Sequence, residues 1–406
     1  MADLSLPLPL PRTALRSASE AGIRPGPRGH IRHVIDGLGH GGAERLLAAT
    51  LPRLAAQGFS VDVVSLQDRD GSTMRAPLEA AGIPVRQIEV TKLRNLRQVA
   101  RFLRAMQADR PALLHAHLEF STLLGAAAGR LLHLPTVTTL HTLEAPGLAS
   151  RRDLRRWLMY RAMALGMDRV LCLTAANASA VRAGGLARAP IEVLPNGVEM
   201  ALFDAPPATG RTALRAALSI PPGAPLVLTV CVLRPLKGVD RLLKAFSAVL
   251  AQLPDAHLLV VGDGPERAAL ETLARNLGLG PRLRFTGHRA DVADLMRAAD
   301  LFVLPTLFDA QPTVVMEAMA ARLPVVASRT GGIPDMVDDR SGLLVPRDDP
   351  AALAAAIAAL LADPARARAL GEAGRARAEA EFSIDRQISR LGALYDRLIA
   401  AREVRP

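Results

Sequence analysis

Aromatic side chains are almost missing: they make up 3% of the 406 residues, with a single Trp and two Tyr. That scarcity excludes the aromatic platforms on which single-stranded nucleic acid stacks. It also means that the cores must be built from Ala, Leu and Val. Cysteine is equally scarce. Cys172 and Cys231 are the only two, and both lie inside apolar runs, RVLCLT and LVLTVCVL. They read as buried packing residues of a reducing compartment, not as a disulfide. No apolar run approaches the ~20 residues that span a bilayer. Residues 1–29 lack the basic start and apolar core of a signal peptide, and their Pro-, Arg- and Gly-rich composition reads as a disordered lead.

Lysine is the third scarcity. Only three of the 50 basic residues are Lys, so Arg carries the positive charge. The net charge of +11 is uneven: residues 1–200 hold 25 basic and 16 acidic side chains, and residues 201–406 hold 25 and 23. A basic half fits an anionic partner. No zinc-ligand spacing or RNA-binding aromatic motif accompanies it, so nucleic acid is excluded as the partner.

What the chain does have is alternation. RHVIDGL, SVDVVSL, ALLHAHL, PTVTTLH, DRVLCLT and IEVLPNG are separated by helical stretches. After residue 205 the scheme restarts with PLVLTVCVL, HLLVVGDG, RLRFTGH, DLFVLP and PVVAS. Strands separated by helices of this length predict parallel sheets covered on both faces. The restart predicts two doubly wound α/β domains, with ligand at the carboxyl ends of their strands. The expected division is 30–200, 201–382 and a C-terminal helix over 383–406 packing back on the first domain. The joint falls in NGVEMALFDAPPATG (196–210).

The residues of chemical interest lie at strand ends. In FDAQPTVVME, Asp309 and Glu317 stand eight positions apart, around a helix predicted over about 312–322 with Pro312 in its first turn. The start of that helix is an anion site, and Glu317 is placed to accept hydrogen bonds from a vicinal diol. RPLKG brings Arg234 and Lys237 to another strand end, and Lys is a compact charge suited to phosphate. Gly41 and Gly42, between strand and helix in GHGGAERLL, permit close approach of backbone to a phosphate. His141 closes the strand PTVTTLH.

In order, GGAERLL, TLHTLE, VLPNGVE, RPLKGVDRLLKAF, VGDGPERAALE, FTGHRADVADLMRAADLFVLP, MEAMAARLPVVAS, GGIPDMV and SGLLVP resemble retaining nucleotide-sugar glycosyltransferases of the GT-B fold, family 4 (group 1), over residues 31–400. The resemblance implies a UDP- or GDP-sugar donor, a hydroxyl acceptor that can be lipid-linked, and no metal or other cofactor. It places Lys237 on the diphosphate, with Arg234 in place of a basic residue that is Val232 here. Gly41 and Gly42 fall near the leaving group, His141 and Asp309 against the sugar, and Glu317 on the ribose. The loop Gly287, His288, Arg289 lies against the base. Asp309 is one methylene shorter than the family's usual Glu. Two relatives of the same fold, a nucleotide-sugar 2-epimerase and a hydrolase, share such a donor site. A non-enzymatic binder of anionic polymer is the alternative from another class.

Other features compete. DRD (68–70) has the form of a metal-binding Asp-x-Asp but sits in a polar turn. His115 and His117, with Glu119, form a pair without a third ligand, which favours packing at a strand end. RRDLRRWLMYRAMAL (151–165) is a basic amphipathic stretch. It is expected to pack on its domain or to dock on an anionic membrane, which would place the protein at the cytoplasmic surface.

Overall fold

The computed structural model describes residues 26–39, 42–67, 73–141, 160–161, 163–183, 190–205 and 210–403. Seven parallel strands form the first sheet: β1 (His30–Ile35), β2 (Ser60–Ser65), β3 (Val85–Gln87), β4 (Leu113–His117), β5 (Thr136–Leu140), β6 (Arg169–Cys172) and β7 (Ile191–Val193). Their spatial order is β3-β2-β1-β4-β5-β6-β7. Six form the second: β8 (Leu226–Val230), β9 (His257–Val261), β10 (Leu283–Gly287), β11 (Leu301–Leu304), β12 (Val325–Ser328) and β13 (Leu343–Val345), in the order β10-β9-β8-β11-β12-β13.

The central strands are buried along their whole length, as HIRHVI, LLHAH, HLLVV and LFVL show. Such strands need helices on both faces, and each sheet has a core cluster on either side. In both sheets the order reverses once, between β1 and β4 and between β8 and β11. A crevice opens at such a reversal because the connections on its two sides leave to opposite faces.

The last helix, Ile384–Glu403, buries Ile388, Leu391, Leu394 and Tyr395 among Ile31, Ile35, Leu47 and Leu51 of the first sheet's layer. The chain therefore passes between the two sheets' layers twice, near residue 197 and again at Ser383. The two passages are tied together: Val198 N–H donates to Phe382 O (2.7 Å) and Ile384 N–H to Val198 O (2.9 Å). Gly197 is required by space there, since a Cβ on it would lie 2.4 Å from Ile384 Cα.

Two details depart from the sequence reading. The helix expected over 312–322 is shorter, Thr313–Ala320, with Pro312 as its N-terminal boundary residue. Cys231 lies just past β8 and is half-buried, while Cys172 in β6 is fully buried. Both are free, and burial pushes their thiols up to about 12 for Cys172 and about 11 for Cys231.

Candidate active site

The reversal between β8 and β11 carries the second domain's polar residues. After β8 the chain makes a short turn, Pro235–Lys237, and closes it with Gly238 at φ 65°. A side chain at Gly238 would meet Pro305 O at 2.2 Å, so only glycine fits. This turn is laced to the segment following β11: Leu307 N–H donates to Leu236 O (2.8 Å), and the Thr306 hydroxyl donates to the same carbonyl (2.9 Å). The lacing sets Lys237 opposite Asp309, with Nζ 2.5 Å from Oδ2. The sequence reading gave these two residues separate parts of a ligand, the diphosphate to Lys237 and the sugar to Asp309. In the structure they hold each other. Arg234 beside them is exposed.

Glu317 sits one turn into the helix Thr313–Ala320, hydrogen-bonded to the Thr313 side chain. Burial raises its carboxyl above the ordinary range, and Arg45 and Thr313 pull it part of the way back. Arg45, which the sequence reading missed, belongs to the helix Gly42–Ala56 of the first domain. The helix begins at Gly42, which faces open space, whereas Gly41, DRD and most of 151–165 lie outside the described residues. Gly287 ends β10 and His288 is exposed, but Arg289 is held within its own loop by Asp291 at 2.5 Å.

The two layers meet around 309–311. Asn177 Nδ2 donates to Ala310 O (3.2 Å), and Asn196 N–H donates to Gln311 Oε1 (2.8 Å). Gly332 N–H donates to Asp309 O (3.0 Å), so the GGIPDM loop supports the acid from behind. Asp335 of the same loop accepts from Ala176 N–H across the gap (2.7 Å).

On the first domain's side, His141 is the residue after β5 and is half-buried. The expected pair His115 and His117 has a third member after all. Parallel pairing sets His33 of β1 level with His115 of β4, and ring nitrogens of His33, His115 and His117 lie within 4.8 Å of one another. Glu119 is not part of the group; it opens the next helix. The register that creates the trio appears only when β1 and β4 pair. Leu118, between strand and helix, has φ 72°, a strained value for a residue with a Cβ. Asp36 holds this bend by accepting from Phe120 N–H (3.1 Å) and Ser121 N–H (2.7 Å).

Two doubly wound sheets, joined by a twice-crossing chain and meeting at their strand ends, define the GT-B class. Residues 210–377 match the family described as Glycosyl transferases group 1, and residues 40–202 match Glycosyltransferase Family 4. The chain belongs to the group 1 glycosyltransferases. A D-inositol 3-phosphate glycosyltransferase of Xylanimonas cellulosilytica is 33% identical over 310 residues, covering 72% of this chain and 73% of that relative. A GDP-mannose-dependent monoacylated alpha-(1-6)-phosphatidylinositol monomannoside mannosyltransferase of Corynebacterium glutamicum is 34% identical over 199 residues, 47% of this chain. The match spans 52% of that relative, about half its length. Among solved structures, Anabaena Alr3699/HepE in complex with UDP aligns with a TM-score of 0.80 at 24% identity, covering 90% of this chain and 99% of that one. The sucrose-phosphate synthase of Thermosynechococcus elongatus aligns with a TM-score of 0.76 at 26% identity, covering 92% and 100%.

Proposed function

We propose that this protein transfers a sugar from a UDP- or GDP-sugar to a hydroxyl acceptor, with retention at the anomeric carbon. The observation that carries the reading is the meeting of Lys237 and Asp309 at the β8/β11 reversal, with Glu317 in the helix that follows. Lys237, aided by Arg234 and the start of the helix Thr313–Ala320, stabilises the departing diphosphate. The diphosphate takes the acceptor's proton on the face it leaves, so the protein's task is electrostatic stabilisation of developing charge. Glu317 takes the ribose hydroxyls, Asp309 and His141 the sugar, and the loop 287–289 the base, with Gly41 and Gly42 near the leaving group. No metal is assigned a step. Complexes of Alr3699/HepE with UDP and UDP-glucose, and the GDP-mannose-dependent relative, support a nucleotide-sugar donor.

We also propose that the acceptor is met at an anionic membrane surface, on the cytoplasmic side. A different segment from 151–165 supports this. Residues 91–108 hold Lys92, Arg94, Arg97, Arg101 and Arg104 with no acidic residue among them. All five are exposed, beside Leu96 at 76% exposure and Leu93 at 36%. Exposed leucines next to unneutralised arginines suit a lipid surface better than a polyanion in solution.

Thermal unfolding against UDP, GDP and their sugars tests the main reading. The right nucleotide at ~100 times its Kd stabilises by about 2.7 kcal/mol. Lys237→Ala is expected to lower transfer by ~100-fold or more with the fold intact. Wild-type turnover in that variant overturns the assignment, and sugar release without acceptor favours a hydrolase.

A further inference from the structure

His141 does not stand alone at the end of β5. Its Nε2 lies 3.0 Å from His117 Nδ1, and His117 Nε2 lies 2.9 Å from His33 Nδ1. The ring planes agree within 29° and 13°, with ring centres 5.3 and 5.2 Å apart. Those separations exceed the N···N distances by little more than two ring radii, so each contact runs along the line of centres. This is hydrogen-bond geometry, and every such bond needs one N–H and one lone pair. The three rings are therefore coupled: the proton's place on one dictates its place on the next.

The inner end fixes the direction. His33 Nε2 is buried and has no partner among the described residues. A stranded N–H is rarer in proteins than a stranded acceptor. His33 therefore carries its proton on Nδ1 and donates to His117, and His117 donates from Nδ1 to His141 Nε2. We propose that His117 and His33 are positioning residues that hold His141 as its Nδ1–H tautomer, so that it donates a hydrogen bond to an oxygen of the transferred sugar. The proposal rests on the reading of His141 as a sugar contact.

The surroundings support a neutral row. Burial lowers His33 to about 3 and His141 to about 4. Thr50, Asn196 and Gln387, the polar residues facing the row from neighbouring elements, are uncharged, and they line a cavity of about 20 Å³ beside it. Asp62 and His30 act on His33 in opposite senses, each less than burial does. His141 thus acts by tautomer, not by charge. A metal cage from His33, His115 and His117 fits less well, because five of the six ring nitrogens already have partners. His115 uses both of its own, Nδ1 with Tyr395 OH (2.6 Å) and Nε2 with Thr139 Oγ1 (2.8 Å).

The test is long-range 1H–15N NMR on the histidine-labelled full chain, with donor turnover and nucleotide affinity measured alongside. Wild-type His141 is expected to carry its proton on Nδ1. His117→Phe should move that proton to Nε2 and lower turnover about tenfold, the scale of one hydrogen bond, with UDP and GDP affinity unchanged. His117→Gln, whose amide accepts on one side and donates on the other, should recover most of the loss. His33→Phe interrupts the same row one ring deeper, and is read in the same way if His117→Phe does not fold. A wild-type His141 protonated on Nε2, or a tautomer that neither Phe variant alters, overturns the proposal. A changed tautomer with undiminished turnover overturns the assignment of His141 to the sugar instead.

Discussion

Lys237 and Asp309 neutralise each other in the structure, and that bears on how a donor enters. On the proposed reading a diphosphate takes Lys237 from the carboxylate, so Asp309 would compete with the nucleotide before serving the sugar. Asp309→Asn removes the competitor. It is expected to raise affinity for free UDP or GDP several-fold while lowering turnover. Glu317→Gln, one turn into the next helix, should weaken free nucleotide and donor alike by about tenfold. Calorimetry with the free nucleotide separates the two, and equal losses in both variants would show that the acids do not divide the ligand. Residue types and strand-end positions were legible in the sequence. The pairing was not, because Lys237 and Asp309 are far apart in sequence and the lacing through Leu236 exists only once β8 and β11 lie side by side.

Among elements, the helix Leu96–Ala108 presents more than a core-packing face. It buries only Phe102 and Met106 and presents a basic face next to exposed leucines. Vesicles rich in anionic lipid should capture the protein at low salt and release it at high salt, since ionic strength screens such contacts. Leu93→Ser with Leu96→Ser should abolish capture at any salt, and Arg94→Glu with Arg97→Glu should abolish its salt dependence. Capture unchanged in both variants would remove this helix as the contact. The signal was in the sequence as basic residues without acids from 91 to 108, but the stretch 151–165, with its single Trp, drew the expectation. Strand and helix alternation was readable because buried parallel strands are continuous apolar runs. The His33–His115–His117 group was hidden because strand order and register are not written in any one strand. Arg45 was equally hidden, since Glu317, on which its charge acts, belongs to the other layer.

At the scale of the whole molecule, the buried histidines set the acid limit of stability. His33, His115, His117 and His141 are all lowered from 6.5 by burial, so the unfolded chain binds protons there that the folded chain does not. The histidines' contribution is therefore full above about 6.5 and falls as pH drops below it, by up to ~1.4 kcal/mol per pH unit for each neutral ring, offset in part by the raised carboxyl of Glu317, which gains stability as pH falls. Asp62 opposes nothing in that window. Burial raises it, but His30 and Arg32 more than offset that and hold it below 3.8, so its own loss comes later. Chemical denaturation from pH 7 to 4.5 should show this slope, and His33→Phe should flatten it by about one proton. A stability flat over that range would contradict the burial of the cluster. The last helix has a consequence of another kind, in the order of synthesis. Residues 30–193 complete the first sheet's strands, yet Ile388, Leu391 and Tyr395, which cover Ile31 and Ile35, are made some 200 residues later. At ~5–20 residues per second the ribosome needs on the order of 10–40 s to supply that cover. For that interval the nascent first domain carries an open apolar face, so the half made first waits for the helix Ile384–Glu403 before its core can close.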